Sequence, residues 1–213
     1  MKITYTGQNK NIAQNLIVGL IYPAILGTFI YSLFDTILNS ILVKASGFLA
    51  DTCFIMIMKT LLIVGVIGFY CCDFLYSVFT KNFKTQYFYF DIIILFGLSL
   101  TFRAININSQ ELPNLDYIIL SFLIFMVLYF IWDYFEIGNT EGRDKDNLAE
   151  KKFYSNMVKW ELYSSALLFL NYILFKTNIT NYNLTLLLTT TIVMLTTIFF
   201  IILVCEKRAY TDK

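Results

Sequence analysis

The chain of 213 residues is 58% hydrophobic and only 15% charged, and 18% of its residues are aromatic. Soluble proteins carry about 25% charged residues, so this composition excludes an ordinary soluble domain and favours a protein that lies in a lipid bilayer. The formal net charge of +1 is too small to create a long-range field that would attract nucleic acid.

Six stretches of the sequence are long and apolar enough to be transmembrane helices. About 20 mainly apolar residues are needed to cross roughly 30 Å of hydrocarbon. In chain order, these stretches are residues 14–34, 54–79, 88–106, 117–137, 157–176 and 184–205. Transmembrane strands would instead alternate in polarity over about ten residues. The sequence therefore predicts an all-α integral membrane protein, a six-transmembrane-helix bundle that forms a single domain over residues 1–213.

The positions of Lys and Arg outside these stretches predict the orientation of the bundle, because cytoplasmic loops carry an excess of both residues. One side carries Lys2, Lys10, Lys81, Lys84, Arg143, Lys145, Lys151, Lys152, Lys207, Arg208 and Lys213, whereas the other side carries Lys44 and Lys176. This distribution places the N- and C-termini in the cytoplasm. The high content of Ile, Asn, Lys and Phe is typical of a low-GC bacterium, so we expect the protein in a bacterial cytoplasmic membrane.

The first span carries a ridge of small residues, Gly19, Pro23 and Gly27, at a spacing of four. Small residues let helix backbones approach closely, and a proline bends a transmembrane helix. We expect this ridge to pack against another helix, either in the same chain or in a second copy as part of a homo-oligomer. The polar and apolar residues of segment 35–51 predict a short interfacial helix after the first span.

Five acidic residues lie within the spans at a similar depth, near the cytoplasmic side: Asp73, Asp91, Asp133, Glu136 and Glu161. A charged residue at the centre of a transmembrane helix costs about 2.5–3.5 kcal/mol. Asp73 lies about 9 Å from the inner end of its span, at a rise of 1.5 Å per residue, which is too deep for its short side chain to reach water. If the helices face one another here, the carboxyl groups would share protons or hold a cation. The alternative is that the other four lie at the membrane interface beside an aromatic belt.

Two cations, Lys59 and Arg103, lie at similar depth on the outer half of the second and third spans. Together they would line an anion vestibule, or each would extend its long side chain to the membrane surface. Lys59 and Asp73 are 14 residues apart, which places them on one face of the helix at about 100° per residue, so we expect that face to look into the protein. The residues available as partners for the carboxylates are Lys159, Tyr70, Tyr76, Tyr129 and Tyr134.

Hydroxyl and amide side chains mark the last two spans: Thr185, Thr189 and Thr196 share one face of the sixth, and Ser164 and Asn171 lie on the fifth. Threonine can bond the backbone carbonyl four residues earlier, so such a row lines a helix interface as readily as a pore.

The most polar interval is residues 138–156, and it is the predicted cytoplasmic loop between the fourth and fifth spans. Within it, Asn147 and Glu150 resemble a capping box, which predicts that the fifth helix begins in the cytoplasm. This loop is the surface that a soluble cytoplasmic partner would contact.

The sequence has no histidine, which excludes rhomboid-type Ser/His dyads, HExxH zinc sites and bis-His haem. It has no phosphate-binding glycine loop, and its acidic loop residues lack the spacing of a calcium site. We therefore expect no catalytic residues, no metal and no cofactor.

Two functions remain open. The first is a small channel or carrier for ions or small solutes, oligomeric, with the inner carboxylates as its polar pathway. The alternative is a non-enzymatic membrane anchor or effector subunit that binds a soluble cytoplasmic partner at residues 138–156.

Overall fold

The computed structural model describes residues 15–44, 50–79, 85–105, 112–140 and 147–211, and these residues are helical except for short connections. The long helices are α1 (Tyr22–Lys44), α2 (Ala50–Phe79), α3 (Thr85–Ile105), α4 (Leu115–Thr140), α5 (Asn147–Lys176) and α6 (Tyr182–Thr211). A single π-helical turn, Ile17–Ile21, precedes α1. No strand occurs in these five ranges, and the predicted all-α fold is confirmed.

Within the described residues, three helical segments are long and apolar enough to cross a bilayer: Cys53–Leu75, Leu115–Phe135 and Tyr182–Glu206. Two further apolar segments, Gly19–Asp35 and Ile92–Ile105, are shorter. These lengths and compositions identify a protein embedded in a membrane. The full set of six spans remains a prediction.

Each helix packs against the next helix in the chain, and α6 returns to pack against α2. Helices α2 to α6 therefore form a closed ring, and α1 lies outside it against α2. The ring of Phe29 in α1 also stacks on Phe102 in α3, with 4.2 Å between ring centroids. The bundle is thus closed by contacts between residues far apart in sequence.

The centre of the bundle is an aromatic cluster around Phe69 in α2. The Phe69 ring lies 5.2 Å from the rings of Phe125 and Tyr129 in α4, 4.8 Å from Phe200 in α6 and 6.4 Å from Phe122 in α4. Ring pairs at such separations add about 0.5–1.5 kcal/mol beyond the area they bury. This cluster holds α2, α4 and α6 together.

Pro23 accounts for the π-helical turn at the start of α1. Proline has no backbone N–H, and its ring crowds the carbonyl four residues earlier, here that of Gly19. The backbone widens before the proline, so that the N–H of Tyr22 donates to the carbonyl oxygen of Ile17, five residues back. The following helix places the Tyr22 side chain in the interior, where it is 1% exposed.

The predicted ridge on the first span does not face another helix of the described chain. Gly19 and Gly27 have no heavy atom within 4 Å of an added Cβ, and Pro23 is exposed. The ridge lies on the outer surface of the bundle because Tyr22 and Phe29, on the other side of the same helix, are the residues that turn inward. Contact of the ridge with a second copy stays a prediction.

The close helix contact lies instead between α2 and α6. A Cβ at Gly68 would lie 2.9 Å from Cγ2 of Thr197, and a Cβ at Gly65 would lie 3.0 Å from Cγ1 of Val193. The hydroxyl of Thr197 donates to the backbone carbonyl oxygen of Gly65 at 3.0 Å. Two glycines three residues apart therefore let the backbone of α2 approach α6.

The interfacial helix predicted for segment 35–51 is not a separate element. Residues 35–44 continue α1, because this stretch has no glycine or proline that would end the helix; residues 45–49 lie outside the described residues. The predicted start of the fifth helix is confirmed, since α5 begins at Asn147. The capping side chains of Asn147 and Glu150 lie outside the described side chains.

Candidate functional site

The deepest acidic residue, Asp73, is buried in α2 with 3% of its surface exposed. The hydroxyl of Tyr22, at the start of α1, donates a hydrogen bond to its Oδ2 atom. Tyr129 of α4 also interacts with the Asp73 carboxylate. The hydroxyl of Tyr70 donates to the backbone carbonyl oxygen of Tyr22 and so holds this residue in place. Phenol groups from two other helices thus interact with Asp73.

A pair of acidic residues, contributed by α4 and α5, lies near Asp73. Asp133 of α4 and Glu161 of α5 are 2% and 5% exposed, and their carboxyl groups interact with each other. The Oε2 atom of Glu161 is buried and has no hydrogen-bond partner among the residues that the structure describes. Two carboxyl groups in contact away from water are an unusual arrangement, since both cannot ionise without strong repulsion.

A small cavity is lined by both Asp73 and Asp133. Its volume is about 10 Å³, close to the minimum that accommodates one water molecule. Its lining residues are Asp73, Ile94, Tyr129, Trp132, Asp133, Met157 and Phe200. The two carboxylates and one phenol thus face a space whose other walls are largely apolar. We call Asp73, Asp133 and Glu161 the carboxyl cluster.

The structure brings together three of the five acidic residues that the sequence singled out. Asp133 and Glu161 are buried in the bundle rather than placed on its surface. Asp91 and Glu136 lie in α3 and α4, but their side chains lie outside the described side chains.

Of the residues expected as partners for these carboxylates, some lie at the site and others are exposed. Lys159 and Tyr134 are exposed, and Tyr76 is outside the described side chains. Tyr129 faces the cavity, and Tyr70 acts through Tyr22.

Tyr22 is the site residue that sequence reasoning missed. The small residues of its span, Gly19, Pro23 and Gly27, form the predicted ridge, and Tyr22 lies beside that ridge on a different helix face. The sequence does contain a signal, because a proline within an apolar helix disturbs the backbone in the preceding turn. Short π-helical turns of this kind often occur at functional sites.

The two cations that the sequence predicts for the outer half differ in burial, and the anion vestibule stays a prediction. Lys59 is 3% exposed on α2, whereas Arg103 is exposed on α3. Lys59 and Asp73 both lie on the buried face of α2, as their spacing indicated. The two groups are separated along that face by the aromatic cluster around Phe69.

The threonine row of α6 forms an interface with α5. Asn171 Nδ2 donates to Thr189 Oγ1 at 2.9 Å, and the hydroxyl of Thr196 donates to Ser164 Oγ at 3.0 Å. The hydroxyls of Thr189 and Thr196 also lie 2.8 Å and 2.7 Å from the carbonyl oxygens four residues earlier. These side chains join two helices, which is the packing alternative of the sequence analysis.

No group of three or more His, Cys, Asp or Glu residues within the described ranges is placed to hold a metal ion. Asp73 and Asp133 of the carboxyl cluster face the cavity, and Glu161 interacts with Asp133.

Comparison with protein-family models, with curated proteins and with solved structures found no match.

Proposed function

We propose that the protein is a small polytopic membrane channel or carrier that moves cations, protons included, through the carboxyl cluster of Asp73, Asp133 and Glu161. The observation that carries this proposal is the burial of three acidic side chains, from three different helices, inside a membrane-embedded bundle. Buried ionisable groups are costly in a membrane, and those that occur face the bundle interior and mark ion or proton pathways. Phenol partners and a water-sized cavity add to the support.

The proposal includes the six-span arrangement with both termini in the cytoplasm of a bacterial cell. In this arrangement, the carboxyl cluster lies in the inner leaflet. At the end of the bundle away from the carboxyl cluster, an ion pair joins Lys176 Nζ of α5 to Asp116 Oδ1 of α4 at 2.8 Å. Both residues are partly exposed there. Such a pair is compatible with a position at the outer membrane surface.

In the proposed channel or carrier, the aromatic cluster around Phe69 closes the pathway. Phe69 lies four residues before Asp73, about one helical turn farther outward, and packs against Phe125 and Phe200. Apolar constrictions gate ion pathways by excluding water. Transport would then require these rings to separate, or the helices that carry them to move.

Homo-oligomer formation is part of the same proposal. The outward ridge of Gly19, Pro23 and Gly27 is a surface on which two copies could pack closely, as small residues do between membrane helices.

The topology leads to a labelling prediction. In a variant whose four native cysteines are replaced, a single cysteine at Asn181 should react with a membrane-impermeant thiol reagent from outside intact cells. A single cysteine at Asn147 should react only after the membrane is opened. Labelling of position 147 in intact cells would contradict the proposed orientation.

The function is tested by reconstituting the purified protein in liposomes and measuring the flux of H⁺, Na⁺ and K⁺ under an imposed membrane potential. The expected result is a flux of at least one of these cations above that of protein-free liposomes. Absence of flux for all three would overturn the proposal. The alternative, an effector subunit, would then be tested by capture of a soluble partner through residues 138–156.

A further inference from the structure

We infer that the carboxyl cluster is a proton-binding site, in which Asp133 and Glu161 share a proton and exchange a second one with Asp73 through one water molecule. This inference rests on the proposed permeation function and narrows it, since it names the proton as the species that the site takes.

The partners of Asp73 are those of a proton site. A metal cation is held by oxygen atoms that direct lone pairs at it, whereas Tyr22 directs an O–H donor at the Asp73 carboxylate. A carboxylate that accepts such hydrogen bonds is stabilised as an anion without any metal. The described residues also provide no cluster of three acidic or thiol ligands around one point. Asp73 is therefore arranged as an anionic proton acceptor.

The pair of Asp133 and Glu161 is arranged as a proton donor. Asp133 and Glu161 interact directly and are almost fully buried. In such a pair one shared proton removes the repulsion between two negative charges and supplies a hydrogen bond, and the two groups titrate as one unit. The buried Oε2 atom of Glu161, which lacks a partner among the described residues, marks a position where a proton or a water hydrogen would be accommodated.

The cavity connects the donor to the acceptor. Asp73 and Asp133 both line it, and its volume of about 10 Å³ matches one water molecule. When the carboxyl pair has taken up a second proton from bulk water, one O–H bond of the pair breaks as the cavity water gains a proton, and a different O–H bond of that water breaks as the Asp73 carboxylate gains one. The pair keeps its shared proton, so its two groups are never ionised together. The water is regenerated and the total charge is unchanged. The proton enters from bulk water and returns to it, so no further reactant is needed.

The titratable groups around this route come from five helices. Helix α1 contributes Tyr22, and α2 contributes Tyr70 and Cys72. Helix α4 contributes Tyr129 and Asp133, and α5 contributes Glu161. From α6 it is Cys205, which interacts with Cys72. The apolar residue Ile94 faces the cavity from α3.

Infrared spectroscopy of the reconstituted protein tests the inference without relying on flux. The parent protein should show the carbonyl stretch of a protonated, hydrogen-bonded carboxylic acid at neutral pH, and the band should shift in D₂O because the proton exchanges with water. Glu161→Gln should remove this band, while Glu161→Asp, which keeps the carboxyl group, should retain it. Glu206→Gln is the matched control, since Glu206 is exposed on α6, and it should leave the band unchanged.

The outcomes separate this inference from the proposed function. A band that is lost only in Glu161→Gln supports the proton site, even if no ion crosses the liposome, in which case the permeation proposal alone fails. A parent protein without the band overturns the proton site. A flux of Na⁺ or K⁺ in that protein would still leave permeation standing. If Glu161→Gln does not fold, the D₂O shift of the parent band decides, and a band that does not shift overturns the exchange with water.

Discussion

Replacing Gly68 by Leu in α2 is expected to lower the stability of the protein by about 1–3 kcal/mol, the usual cost of overpacking a well-packed contact. Even the Cβ of the new side chain would lie 2.9 Å from Cγ2 of Thr197, closer than two carbon atoms approach without repulsion. The neighbouring hydrogen bond from Thr197 to the carbonyl oxygen of Gly65 would be displaced as well. The measurement is the midpoint of thermal unfolding in detergent.

Gly27→Leu is the matched control, because Gly27 lies in α1 with no atom within 4 Å of an added Cβ. It should leave the unfolding midpoint of the monomer unchanged. If the ridge forms the contact between copies, Gly27→Leu should instead reduce the oligomer size measured by light scattering. Equal midpoints for Gly68→Leu and the parent protein would show that α2 and α6 are not in close contact.

Replacing Phe69 by Ala is expected to destabilise the bundle by about 2–4 kcal/mol. Large-to-small changes of buried aromatic residues cost about 3–5 kcal/mol in soluble proteins, and the cost is smaller here because lipid is as apolar as the protein interior. What remains is the loss of ring contacts with Phe125, Tyr129 and Phe200. Chemical unfolding in mixed micelles would measure the difference.

Phe96→Ala provides the comparison, since Phe96 lies in α3 with 65% of its surface exposed. This variant should remain within about 0.5 kcal/mol of the parent protein. A loss of stability as large as that of Phe69→Ala would mean that the aromatic cluster is not the centre of the bundle.

Apolar run length was sufficient to predict the helices. Segments of about 20 apolar residues have few alternatives to helix in a membrane, because every backbone polar group must be satisfied within the segment. Depth along the helix also directed attention to Asp73, which lies in the interior of the bundle. Both predictions depend only on the position of a residue along the helix axis.

Rotation of each helix about its axis was much harder to predict than its length. The spacing of Gly19 and Gly27 predicts a helix contact, but within the described chain the tightest glycine contacts are those of Gly65 and Gly68 with α6. A membrane helix has apolar residues on all sides, so its hydrophobic pattern does not identify the inward face. Which small residue faces a neighbour is decided by contacts between distant helices.

The pairing of polar groups was hard to predict for the same reason, since it depends on how each helix is rotated about its axis. Lys59 and Arg103 have similar predicted depth, but only Lys59 is buried. Tyr22 was not considered as a partner of Asp73, because the contact joins residues 51 positions apart and depends on the backbone before Pro23. Such contacts follow from the tertiary arrangement and not from any local pattern.

The central claim, that the buried carboxyl cluster carries cation transport, is tested most directly by comparing buried and exposed acidic residues in one liposome flux assay. The buried set is Asp73→Asn, Asp133→Asn and Glu161→Gln, and the exposed set is Asp35→Asn and Glu206→Gln. Each change replaces an ionisable carboxyl group by an amide of similar size and hydrogen-bonding capacity. The account predicts that each buried variant loses the flux of the parent protein at unchanged expression and oligomer size, while both exposed variants keep it. A flux in the buried variants equal to that of the parent protein would contradict the account.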